Sequence, residues 1–357
     1  MEQKFKKWIA LSLLFAAIIP AAVSAFNYFM DPLWCFSISH RFNQKQDDFN
    51  ERIQKTNYIT FHGLDCDAII MGSSTSTSFN PSSFKGLKIY NYSINALMPS
   101  EYTPYLRYAR SHNKRDFTYI FLGLDFLMST HLPKPFIEPE KVFSDANYPL
   151  YRPKVLMSID TLKMSRKNLL NALTVRHIYY DREGRKYIER LDRGTAELHM
   201  TALMKIFEDS DSAVSFRKYQ YDPNYPHILR QVKDAFPNTT FTPYTTPVIR
   251  PFMIAMVKKG LTDDYLRWVK DIVDVFGECY HFMYPNRVSD NYLENFHDPN
   301  HCYPDICDLM AEAMYAKQIR GVTQFGMYIN RDNLKDRLAL LSSMMNALVP
   351  LSERAKR

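Results

Sequence analysis

The chain has 357 residues, 46% of them hydrophobic and 23% charged, which suits a folded body of one large domain or two small ones. The formal net charge of +7 favours acidic surfaces, anionic polymers or membrane headgroups, but no zinc-finger spacing, RNP-like motif or long basic run is present, so nucleic acid is not an expected partner. The five cysteines (Cys35, Cys66, Cys279, Cys302 and Cys307) form no CxxC pair, which argues against a structural zinc site and against a disulfide-rich scaffold; Cys302 and Cys307 are close enough in sequence to bridge.

The N-terminal residues 1–30 read as a membrane anchor. Lys4, Lys6 and Lys7 precede Trp8–Met30, a run of 23 residues without charge, and about 20 apolar residues suffice to cross a bilayer core. The lysines should stay cytoplasmic, which sends residues 31–357 to the extracytoplasmic, periplasmic side of the inner membrane. Val23–Ala25 offers a small-residue cleavage site, so a cleaved signal is the alternative. Against cleavage, apolar character continues through Phe26, Tyr28, Phe29 and Met30. Pro20 would kink the helix, which a membrane tolerates.

Next come short apolar runs that read as buried parallel strands: 67–72, 88–94, 118–126 and 280–285, with 239–249 as a fifth. Helical patterns lie between them at 100–111 and 262–276. Residues 304–319 open with proline and acids before turning amphipathic, as a helix start does. This alternation predicts an α/β three-layer sandwich around a central parallel sheet. Residues 127–235 interrupt it and read as an inserted, mostly helical cap, with a helix at 160–173 and a hairpin at 178–191 turning near Glu183-Gly184. Within the cap, 161–194 holds nine Lys/Arg against four Asp/Glu. That balance is either a contact for an anionic polymer or headgroup, or an ordinary solvated surface. The amphipathic segment 333–351 reads as packing on the body, with a membrane-surface role as the alternative.

Ligands of open parallel sheets bind at the carboxyl ends of the strands, and the segment Gly72-Ser73-Ser74-Thr75-Ser76 stands at such an end. A serine there needs a base and a group to orient that base. Asp298 and His301, three residues apart before the last amphipathic helix, have the spacing for a carboxylate to hold one imidazole nitrogen while the other faces the serine. Other readings are open. His297 and His301 could ligate a metal at i, i+4, although no HExxH pattern occurs. The serine-rich turn could cradle phosphate, although it lacks the Gly-Lys-Ser/Thr ending of a P-loop. It also lacks the second glycine of a GxSxG elbow. Each element alone could be plain turn chemistry.

Taken together, Gly72-Ser73-Ser74 and Asp298-Pro299-Asn300-His301 resemble the first and last sequence blocks of the SGNH (GDSL-type) hydrolase superfamily. Residues 90–97 and 120–126 fall where its second and third blocks would. The N-terminal anchor followed by residues 31–36 is similar to its membrane-anchored, cell-envelope branch, which includes proteins of alginate O-acetylation and of D-alanyl transfer onto teichoic acids. The resemblance covers about 67–126 and 239–319 and implies a flavodoxin-like SGNH fold. It implies Ser74 as nucleophile, His301 as base and Asp298 as its orienter, with no metal or dissociable cofactor. It also implies an esterase or O-acyltransferase acting on acyl esters of an envelope glycan, with a membrane-bound acyl-transfer partner. In two places the chain departs from the pattern. Asn95 or Ala96 stands where the second block offers a glycine N–H, and Asp125 stands where the third offers an asparagine. Asn95 and Asp125 are thus the oxyanion or substrate-binding candidates, and an ionised Asp125 would repel an oxyanion. The competing expectation is an anchored binding or assembly protein that keeps the fold without turnover; a metal-dependent phosphoesterase is a third.

Overall fold

The computed structural model describes residues 2–131, 135, 137–174, 176, 178–212, 214–315, 321, 323 and 325–353. They form a mixed α/β structure with fourteen α-helices among the described residues and a central six-stranded sheet. The chain divides into two compact units, Met1–Gly63 with Glu138–Gly184, and Leu64–Ile137 with Arg185–Arg357. The segment 127–235, expected as one insertion, is therefore shared between them.

The second unit holds the sheet. Its strands are β1 (Ala68–Met71), β2 (Ile89–Asn91), β3 (Tyr119–Leu124), β4 (Thr240–Thr245), β5 (Glu278–His281) and β6 (Met327–Asn330), in the spatial order β2-β1-β3-β4-β5-β6. The first five are parallel to their neighbours, and β6 runs antiparallel to β5. Every residue of β1 is buried and β3 is buried from its second residue on, as expected of strands covered on both faces, whose residues read as apolar runs rather than as alternation. Strands form at all five expected places; four lie inside their apolar runs, while β5 is shifted and shares only Tyr280 and His281 with the expected 280–285. The sixth escaped the sequence reading because it is a four-residue antiparallel edge strand whose burial alternates. Helices Pro99–Ser111, Thr262–Phe276 and Pro304–Tyr315 form where periodicity places them; residues 316–319 of the last expectation lie outside the described residues. Helix Leu334–Asn346 buries Leu341 and Met345 and packs against helices Thr262–Phe276 and Arg250–Lys258, which gives the C-terminal segment a place on the body.

Chain direction across the sheet reverses at β1. β2 lies on one side of it and β3 with all later strands on the other, so a cleft at the carboxyl ends of β1 and β3 is the position such sheets offer a ligand.

The first unit contains the N-terminal helix Glu2–Met30, of which Gln3–Met30 is long and apolar enough to cross a membrane. Phe5, Trp8, Leu13 and Ile19 are exposed along it, whereas its last turn is built into the unit. Asn27 donates to the Leu156 and Ser158 carbonyls at 2.8 and 3.1 Å and accepts from Ser165 at 2.9 Å. Asp31 follows at φ 41°, accepts from the Cys35 and Phe36 N–H groups at 2.8 and 3.1 Å, and pairs with Arg182. Behind this turn Leu33, Cys35 and Val155 form a small core with Phe61 and Tyr151.

The basic window 161–194 is largely neutralised within each unit. Lys163, Lys167, Arg176 and Arg182 pair with acids of the first unit, and Arg185, Arg190 and Arg193 with acids of the second. Of the two readings, the solvated and internally paired surface fits this better than an anionic-polymer contact. Strands Ile178–Tyr180 and Lys186–Ile188 form where the hairpin is expected, with the division between units falling at its turn.

Candidate active site

Ser74 opens a single turn of 3₁₀-helix, Ser74–Ser76, directly behind β1. The turn is tight because two glycines admit it. A Cβ on Gly72 would stand 2.5 Å from Ser76 Oγ, and one on Gly123 would stand 2.3 Å from the same atom. Ser76 Oγ fills that space and accepts from the buried Tyr244 hydroxyl at 2.8 Å. From β2, the buried Asn91 amide donates to the carbonyls of Ser76, Thr77 and Phe79 at 3.0, 3.3 and 3.2 Å. Asn91 thereby fixes the path of the whole turn. As the leading donors of the turn, the Ser74 and Thr75 N–H groups have no acceptor within it.

His301 comes from the other end of the unit. Strand Phe296–Asp298 folds back on His301–Cys302, with Asp298 paired across from His301. The Asp298 carboxylate accepts from the backbone N–H groups of Asn300 and His301 at 3.0 and 2.9 Å, so the residues that carry the motif also shape its turn. The Pro299 carbonyl accepts from Ile249 N–H at 3.1 Å, tying the loop to the chain behind β4.

The two segments meet. His301 Nε2 lies 2.8 Å from Ser74 Oγ, and His301 Nδ1 lies 2.8 and 2.7 Å from the two Asp298 oxygens. An ionised carboxylate only accepts, so Nδ1 carries the proton and donates. Nε2 of the neutral ring then presents its lone pair to the serine hydroxyl. Burial opposes the charge of Asp298, but His301 and the two backbone N–H donors outweigh it and hold the carboxyl down at about 2. The Asp298 side chain is 15% exposed and the His301 side chain 22%, so the pair is sheltered yet reachable.

Asp125, at the end of β3, stands on the other side of the same turn. Its carboxylate accepts from Ser73, from Thr75 at 2.8 Å and from Thr246, behind β4, at 2.9 Å. Ser73 and Thr75 thus do more than turn chemistry. Asn95 is exposed in the loop after β2 and is not among the residues that line the cavity at Ser74. Asn91 was not foreseen as a positioning residue. Its signal was an amide inside an apolar strand, a residue type depleted from strands.

The alternative readings meet the same geometry. His301 is engaged by Asp298 and Ser74, while His297 is pushed below its ordinary pKa by burial and its carbonyl accepts from His199 Nδ1 at 3.0 Å. Among the described residues no group of three or more His, Cys, Asp or Glu is placed to hold a metal ion. Cys302 and Cys307 are buried free thiols with sulfurs 3.6 Å apart; their mutual hydrogen bond and burial push the Cys307 thiol far up.

Ser73, Ser74, Thr75, Asp125, Thr246, Asn300 and His301 line one cavity of about 190 Å³, together with eight apolar side chains from the segments behind β3, β4 and β5, from two helices and, with Val214, from the loop after helix Arg193–Asp209. No known protein-family model matches this chain, and a search of curated proteins finds no relative.

Proposed function

We propose that the protein is an extracytoplasmic serine esterase or O-acyltransferase of the SGNH type, anchored by its N-terminal helix and acting on acyl esters of a cell-envelope glycan. The observation that carries this reading is the contact chain Ser74 Oγ, His301 Nε2, His301 Nδ1, Asp298, each link within 2.8 Å. The strand order β2-β1-β3-β4-β5 supports a flavodoxin-like sheet, with the serine at the point where that order reverses. The helix Glu2–Met30 runs unbroken through Val23–Ala25, which supports a retained anchor.

In this mechanism Ser74 Oγ attacks the acyl carbonyl as His301 Nε2 takes its proton, and Asp298 stabilises the imidazolium. The N–H of Ser74, at the head of its turn, donates to the developing oxyanion. Collapse breaks the ester bond, and His301 returns the proton to the leaving alcohol. Water or a sugar hydroxyl then gives its proton to His301 and attacks the acyl-serine, and as the acyl–Oγ bond breaks His301 passes that proton to Ser74 Oγ, which regenerates the starting state.

One observation favours the second reading, a binding or assembly protein without turnover: a carboxylate, Asp125, stands within hydrogen-bond reach of Ser73 and Thr75, where negative charge opposes an oxyanion. A fluorophosphonate probe separates the two. Wild type should label at Ser74, while Ser74→Ala and His301→Ala should lose labelling by about 10³-fold or more. An unlabelled wild type would sink Ser74 as nucleophile and favour the second reading.

A further inference from the structure

The cavity at Ser74 is more specific than an esterase requires. Its polar lining is confined to the Ser74 turn and the groups around it, Asp125, Thr246, Asn300 and His301; the rest is apolar, including Phe126, Phe207, Val248, Phe252 and Met283. Phe207 comes from helix Arg193–Asp209 in the inserted segment and meets Phe252 edge-on with ring centroids 5.2 Å apart. The insertion therefore walls the cavity. Away from that polar end the walls offer a sugar no hydrogen-bond partner, and a buried hydroxyl without one is costly, so the glycan half of an ester stays outside the apolar part and the acyl half enters it.

The volume limits that half. An apolar cavity of about 150 Å³ takes up benzene, so about 190 Å³ suits roughly six to eight carbons. An acetyl group would leave most of it empty, and a chain of about sixteen carbons could not be enclosed. We propose that this cavity is an acyl pocket for an apolar acyl group of about six to eight carbons, an assignment that rests on Ser74 as nucleophile. The bond made and broken is the ester at Ser74 Oγ described above; the pocket adds selection of the acyl chain.

The test uses the full chain in detergent with p-nitrophenyl esters from acetate to palmitate. Each methylene buried should raise kcat/KM by about fourfold, so hexanoate should exceed acetate by on the order of 100-fold, with a fall beyond octanoate. Val248→Phe, which fills the cavity, should cut the hexanoate-to-acetate ratio by about tenfold or more. A flat series, or a preference for acetate, overturns the pocket while leaving the nucleophile intact. A second arm reads the cavity without turnover: the melting temperature of Ser74→Ala with hexylphosphonate or methylphosphonate. Stabilisation by the hexyl compound alone, about 2–5 °C at ten times its Kd, supports the pocket even if wild type cleaves no ester and takes no probe, an outcome that would sink the Ser74 reading. Equal effects of the two phosphonates overturn the pocket.

Discussion

Two carboxylates flank the Ser74 turn, and they are held in opposite ways. Asp298 belongs to a four-residue loop and faces cationic or N–H donors: the imidazole of His301 and the backbone of Asn300 and His301. Asp125 sits at the mouth of the sheet and faces three hydroxyls, brought by the segments behind β1 and β4. The first arrangement orients a base. The second ties together chain segments that are distant in sequence. The same side-chain chemistry thus serves a proton-handling role in one place and a bracing role in the other, and the difference lies in what each carboxylate is bonded to.

Neutralising Asp298 should separate the two carboxylates most strongly. In Asp298→Asn the amide can donate as well as accept, the Nδ1–H tautomer of His301 loses its enforcing partner, and Nε2 no longer reliably faces Ser74 with a lone pair. Probe labelling and any ester turnover should fall by about 10³- to 10⁴-fold with the fold intact by circular dichroism. A loss below about tenfold would remove Asp298 from the proton path.

Asn91 tests whether the turn between the two carboxylates is braced from below. Asn91→Ala leaves the Ser76, Thr77 and Phe79 carbonyls without their buried donor, at a cost of about 1–3 kcal/mol. The melting temperature should drop, and labelling should fall with it because Ser74 shifts against His301. Unchanged stability would mean that Gly72, Gly123 and Tyr244 hold the turn unaided.

The acid limb of stability reads Asp298 by a different route. Its folded pKa, about 2 against an ordinary 3.8, is depressed. The stabilisation is therefore fully present above about pH 4 and is lost as pH falls through 2, and it amounts to on the order of 2 kcal/mol. Wild type should exceed Asp298→Asn in melting temperature at pH 5, and the gap should close toward pH 2. The comparison must be made between the two variants, because burial also lowers the pKa of the core residue His281 to about 3, which costs both proteins stability as pH falls. A gap that stays constant with pH would show that Asp298 acts through packing rather than charge.

Which of these features the sequence discloses follows from how far apart their parts lie. The five parallel strands and the Asp298-His301 pair are local: an apolar run declares a strand covered on both faces, and an i, i+3 spacing declares a turn that can hold an imidazole. Ser74 was legible only in combination, because a serine-rich stretch after a strand has many uses until a base is found for it. The bonds around Asp125 were not legible, since Ser73, Thr75 and Thr246 meet it only once β1, β3 and β4 are adjacent in the sheet. Asn95 shows the converse, for position in a block suggested a role and the folded loop leaves it exposed outside the cavity lining. The edge strand β6 and the division of residues 127–235 between two units likewise depend on long-range packing that no short window carries.

Asp125→Asn is the smallest change and tests the bracing role directly. The amide keeps one oxygen, enough to accept from Thr75 and Thr246, which already share Oδ1. The Ser73 hydroxyl, which donates to the other oxygen, can rotate and accept from the new NH₂ group. Three charge-assisted bonds become neutral ones without leaving a partner stranded, so the stability cost should be about 1 kcal/mol, or roughly 2–4 °C. Removing the charge also removes a repulsion from any oxyanion formed at Ser74, so labelling should stay within about tenfold of wild type, and a rise is the favourable direction. If Asp125→Asn instead abolishes labelling as Asp298→Asn does, the bracing role fails and both carboxylates belong to the reacting group. If it labels faster than wild type, the wild-type carboxylate slows the serine, and the turn has been braced by Asp125 at the expense of rate.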